Sequence, residues 1–105
     1  MSHVPFTTIH AYQRRGLTVI VDIDTDLEPG DLTETAFQFG TTTKAGLSPE
    51  AGGNGIEVPV DLSADDLDVA AGHYGWECRA TIAGLLTVMA TGVFAVSSEP
   101  TEVPA

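Results

Sequence analysis

Cysteine occurs once, at Cys78, so no disulfide can form within the chain and its fold must rest on packing. Basic residues are nearly as scarce: four Lys and Arg stand against fifteen Asp and Glu, a formal net charge of -11. A surface of that sign repels phosphate backbones and anionic bilayers, which argues against nucleic-acid and membrane partners. No run of about 18 apolar residues is present. The start, Met1-Ser2-His3-Val4-Pro5-Phe6, lacks the basic region and apolar core of a signal peptide, so the expected product is made in a cytoplasm and stays soluble. Also missing are a Gly-x-Ser-x-Gly elbow, a phosphate-cradling glycine loop and a dinucleotide fingerprint. The expectation is therefore a protein without enzymatic activity.

What is present is enough apolar material to fold: 43% of the 105 residues are hydrophobic, which sets the chain apart from disordered sequences of similar charge. One domain of this length buries about two thirds of its unfolded surface. From Gly72 to Ile82 the residues Tyr74, Trp76, Cys78, Ala80 and Ile82 alternate with His73, Gly75, Glu77, Arg79 and Thr81, the two-residue period of a half-buried strand. Ala83-Gly84 interrupts the alternation. Leu86, Val88, Ala90, Phe94 and Val96 then resume it, so the two runs form a hairpin holding the only Trp. Cys78, on the parity of Trp76, is expected to be a buried thiol acting as a small hydrophobe.

Upstream, Val4 to Tyr12 is rich in β-formers, with Pro5 suited to an edge strand, and Gln13-Arg14-Arg15-Gly16 is a polar break. Leu17, Val19, Val21 and Ile23 share one face of a second strand, turning Asp22 and Asp24 outward. Glu28-Pro29-Gly30-Asp31 is a strong turn signal. Phe37 and Phe39 share a face of a third strand, and residues 41–55 hold either a short edge strand or a loop. Ile56, Val58 and Val60 mark a fourth, with Pro59 placing it at an edge or bulge. Ser63 before Asp65 and Asp66 reads as an N-cap opening a single helical turn. These elements predict an all-β, immunoglobulin-like sandwich of two sheets, about seven short antiparallel strands and at most one helical turn. The domain spans residues 1–96; residues 97–105 read as a flexible acidic tail.

Candidate sites are few. Asp22, Asp24 and Asp26 offer oxygen ligands of the kind calcium requires, but Leu27 and Thr33 stand where a helix-loop-helix calcium site needs Gly and Glu. Alternate strand residues are also about 6.6 Å apart, so a solvated acidic face is the first reading. A calcium-assisted ligand- or glycan-binding module, with Asp31 or Glu28 completing the site, is the alternative. Asp61, Asp65, Asp66 and Asp68 are explained by capping, and His3, His10 and His73 lack the pairing of a zinc site. In the last strand Leu85, Met89, Val93 and Ala95 alternate with only Thr87 and Thr91 on the outward parity. An apolar outer face implies a partner or a covering loop, so Leu85, Met89 and Val93 form the candidate interface.

The order of motifs carries a resemblance. Asp31-Leu32-Thr33 before a Phe-x-Phe strand, Val60-Asp61-Leu62-Ser63-Ala64-Asp65-Asp66, Ala71-Gly72-His73-Tyr74, and a hairpin ending Ala90-Thr91-Gly92-Val93-Phe94-Ala95-Val96 lie in that sequence. Over residues 16–96 this resembles the small β-sandwich domain of bacteriophage structural proteins, found at the N-terminus of baseplate upper proteins and in related actinophage tail and head proteins. The resemblance implies an immunoglobulin-like sandwich that docks onto other virion subunits or onto its own copies, without catalysis. Capsid decoration, connector, and tail or baseplate roles are all compatible with it. It also implies that Asp31 and Tyr74 determine the fold and do not form a site.

Overall fold

The computed structural model of the chain describes residues 6–53 and 55–98; Val4, Pro5, His3 and most of the expected tail lie outside the described residues. Strands β1 (Phe6–Tyr12), β2 (Leu17–Asp24), β3 (Thr33–Phe39), β4 (Thr42–Ala45), β5 (Glu50–Ala51), β6 (Gly55–Leu62), β7 (Gly72–Ile82) and β8 (Leu85–Ser97) follow in chain order. They form a five-stranded sheet, β1-β8-β7-β3-β4, and a three-stranded sheet, β2-β6-β5. The chain changes sheet between β1 and β2, β2 and β3, β4 and β5, and β6 and β7. The result is an immunoglobulin-like, all-β sandwich.

Alternation built these strands much as expected. Val19, Val21 and Ile23 of β2 and Ile56, Val58 and Val60 of β6 are buried, and they meet Phe37, Phe39, Trp76, Cys78 and Phe94 of the larger sheet. Phe39 stacks on Phe94 with ring centroids 4.2 Å apart, and Phe37 on Trp76 at 5.3 Å. Such pairs each contribute about 0.5–1.5 kcal/mol beyond the area they bury. The Tyr74 hydroxyl donates to the carbonyl of Ala70, closing the corner between β6 and β7 as a tyrosine corner does in immunoglobulin-like domains. Asp31 accepts the Glu28 amide at 2.9 Å and so fixes the turn ahead of β3.

Four details differ from the sequence reading. First, β1 runs parallel to β8, from Phe6 opposite Thr91 to Tyr12 opposite Ser97, so the sandwich is not wholly antiparallel. Two strands that are not joined by a hairpin are free to pair in either direction. Second, the helical turn is the 3-10 turn Pro29–Asp31, while Ser63 to Leu67 is a hydrogen-bonded turn and not a helix. Capping nevertheless occurs there: Asp66 N–H donates to Ser63 Oγ and Ser63 N–H to Asp66 Oδ2. Third, residues 41–55 supply two short edge strands, β4 and β5, so the described strands outnumber the expected seven. Fourth, Pro59 lies in β6, the middle strand of its sheet, opposite Ile20 and without a bulge. Its proline is tolerated because β5 pairs only with Ile56 and Glu57. Beside Pro59 the neighbour is a loop, whose Leu47 N–H donates to the Pro59 carbonyl at 2.8 Å.

Candidate functional site

The β7–β8 hairpin is closed by Ala83-Gly84, with φ of 51° and 82°, a two-residue turn of the type that matches strand twist. Directly opposite residues share a face of the sheet. From Gly72/Val96 to Cys78/Ala90 the register is regular; Arg79 then pairs with Val88, leaving Met89 as an extra residue in a β-bulge. The bulge reverses the parity of β8. Below it Ala90, Gly92, Phe94 and Val96 face inward, whereas above it Leu86 and Val88 lie on the outer side with Thr81 and Arg79.

This corrects the sequence reading in two ways. Leu85, Met89 and Val93 do not share an outer face: Leu85 lies on the side of Ile82 at the tip, Met89 packs against the core, and half-buried Val93 lies between Thr8 and Gly75 on the outside. Leu86 and Val88, expected in the core, are 69% and 42% exposed, with Leu85 at 72%. The exposed apolar group is therefore Leu85, Leu86 and Val88.

The backbone of this segment is open as well. β1 covers β8 only from Thr91 to Ser97, and among the described residues no strand pairs with the other edge of Leu85–Ala90. Where β1 begins, a cleft of about 80 Å³ opens between the two sheets, with Ala90, Trp76, Thr7, Ile20 and Asp22 among its walls. Ile20, 56% exposed, points away from the core on β2. Trp76 Nε1–H donates to the Thr7 carbonyl at 2.8 Å, tying β1 to the sheet at the floor of this cleft. Gly92 makes that bond possible, since a Cβ there would lie 1.8 Å from Thr7 O and 2.5 Å from Trp76 Nε1.

The acidic residues are placed as the alternation required. Asp22 and Asp24 are exposed on β2, and Asp26 is exposed in the turn that follows. Among the described residues no three His, Cys, Asp or Glu side chains are grouped so as to hold a metal ion. The sequence did not reveal that Asp22, Glu57 and Glu50 stand directly opposite one another across β2, β6 and β5, a row of like charges that destabilises the sheet. Nor did it reveal that His10 and His73 flank Ala95 from adjacent strands. Asp22 opposite Glu57 and His10 opposite Ala95 are set by register between segments far apart in the chain. Cys78 is buried, and desolvation pushes its thiol up to about 11, so it is a poor nucleophile at neutral pH. Asp66 is held below its ordinary value, chiefly by the backbone hydrogen bond from Ser63 and then by Lys44, whose Nζ lies 2.9 Å away. Among the described residues no helix is long and apolar enough to cross a membrane.

No protein-family model matches the chain, and no curated protein matches it in sequence.

Proposed function

We propose that this chain is a non-enzymatic docking subunit of a bacteriophage virion, attaching to another capsid or tail subunit through the open end of the β7–β8 hairpin. The observation that carries the reading is the combination of exposed Leu85, Leu86 and Val88 with a strand edge that no strand among the described residues pairs, in an acidic protein. Exposed apolar residues gathered on one element mark interaction sites far more often than scattered ones do. The resemblance to phage β-sandwich domains supplies the setting. One hairpin end is a modest contact. Repeated over a symmetric particle, it gains strength from effective concentration, so a weak single interface suffices for decoration, connector or tail roles.

The test is incorporation. Particles purified from the source that encodes the chain are expected to contain wild-type protein in fixed copy number by quantitative mass spectrometry. A chain with Leu85→Asp, Leu86→Asp and Val88→Asp is expected to melt like wild type yet be absent from them. Wild-type protein missing from particles, or a folded triple variant retained in them, contradicts the reading.

A further inference from the structure

We infer that the edge of β8 at Leu85–Ala90, which no strand among the described residues pairs, is a strand-addition site, and that its occupant is an extended apolar segment of another protein flanked by Lys or Arg. The inference rests on the docking reading above and specifies its chemistry. Unpaired N–H and C=O groups on an edge strand accept a further strand, whose main chain supplies affinity and whose alternate side chains supply selectivity. Natural edges are usually blunted by Lys or Pro, and this one has neither. From Ala80 to Val96 the hairpin has no charged residue at all, in a chain of net charge -11. The bulge at Met89 remains as the one protective device, and it turns Leu86 and Val88 outward instead of burying them.

The same end of the molecule specifies the flanks. The cleft below Ala90 pairs apolar Trp76 and Ile20 with the carboxylate of Asp22, and Asp22 begins the row that continues through Glu57 to Glu50. On the other side of the hairpin, Thr81 Oγ1 donates to Glu34 Oε2, and exposed Glu28 and Asp31 stand in the turn before β3. Among the described residues these flanks carry Asp22, Glu28, Asp31 and Glu34, and the one cation beside them, Arg79 opposite Val88, is paired with Glu77 at 3.3 Å. A neutral strand would leave that field unanswered, and a second copy would bring the same negative charge; a segment with basic ends satisfies both the apolar edge and its rim. The chain's own residues 1–5 contain no Lys or Arg.

The probe is a random-peptide display library selected on the immobilised full chain, with a folded Leu86→Lys, Val88→Lys chain as counter-target. Expected are peptides that alternate apolar residues between Lys or Arg, bind the double variant at least tenfold more weakly, weaken several-fold for Asp22→Asn, and slow amide exchange of Leu85–Ala90 at least tenfold. N-methylation of alternate peptide amides is expected to abolish binding. Enrichment of neutral or acidic peptides, protection elsewhere, or no enrichment over the counter-target overturns the inference. So does a dimer protected at this edge in the free protein, or faster exchange of Leu85–Ala90 on deletion of residues 1–5, since each would name another occupant. If the library fails while the triple Asp chain is still lost from particles, docking stands and strand addition falls. If the triple Asp chain is retained, the docking reading itself falls.

Discussion

The two halves of the β7–β8 hairpin are equally free of charge on β8, yet they meet opposite fates. Below Met89 the strand is closed on both edges, Phe94 and Val96 are buried, and the Trp76 indole ties β1 across Gly92. Above it no strand among the described residues pairs one edge, and Leu85, Leu86 and Val88 are exposed. Hydrophobic composition does not distinguish the halves. What separates them is one extra residue in the ladder, so burial here is decided by register.

The sharpest contrast is between equivalent truncations. Phe94→Ala is expected to cost about 3–5 kcal/mol in urea unfolding, which leaves little of the about 5–15 kcal/mol that holds a typical domain. Leu86→Ala is expected to change stability by no more than about 0.5 kcal/mol. Similar losses at the two positions would erase the distinction. Next, Gly92→Ala should cost about 2–3 kcal/mol, because its Cβ collides with the Thr7 carbonyl and breaks the indole bond. Amide exchange of β1 should quicken in that variant before that of β2 or β6, extending the open edge toward Ser97.

A smaller effect is expected at the tip. Ala83 sits at φ 51°, a left-handed conformation that costs a non-glycine residue about 1–2 kcal/mol. Ala83→Asn or Ala83→Gly should therefore raise stability by about 1 kcal/mol by thermal melting, without altering exposure of Leu85–Ala90. The smallest concerns the closed end's acid response. Asp66 has a folded pKa below its unfolded value of 3.8, so its stabilising contribution is present above that value and is lost as pH falls through the depressed folded one. Asp66→Asn should flatten the stability profile below about pH 4; an unchanged profile would show that the Ser63 and Lys44 partners contribute nothing.

Much of this fold was legible because strand alternation reports burial directly: Val19, Val21 and Ile23, Phe37 and Phe39, and Trp76 and Cys78 all face the core as their spacing requires. The bulge was also latent in the sequence. A two-residue turn pairs even with odd positions, whereas the core residues Trp76, Cys78, Ala90 and Phe94 are all even, so one residue had to be left over. Reading both strands at one parity without that count put Leu86 and Val88 inside and grouped Leu85, Met89 and Val93 wrongly. The parallel docking of β1, the carboxylate row across Asp22, Glu57 and Glu50, and the cleft beside Ala90 were not legible. They depend on which distant segments become neighbours, and local pattern does not encode that.

Residue-resolved hydrogen exchange of the free protein tests the central claim most directly. The account predicts a break at Met89: amides from Thr91 to Val96 exchange only as the whole domain unfolds, while the outward amides among Leu85–Ala90 exchange orders of magnitude faster. Uniform protection along β8 would mean that the edge is already covered, and the docking site described here would not exist.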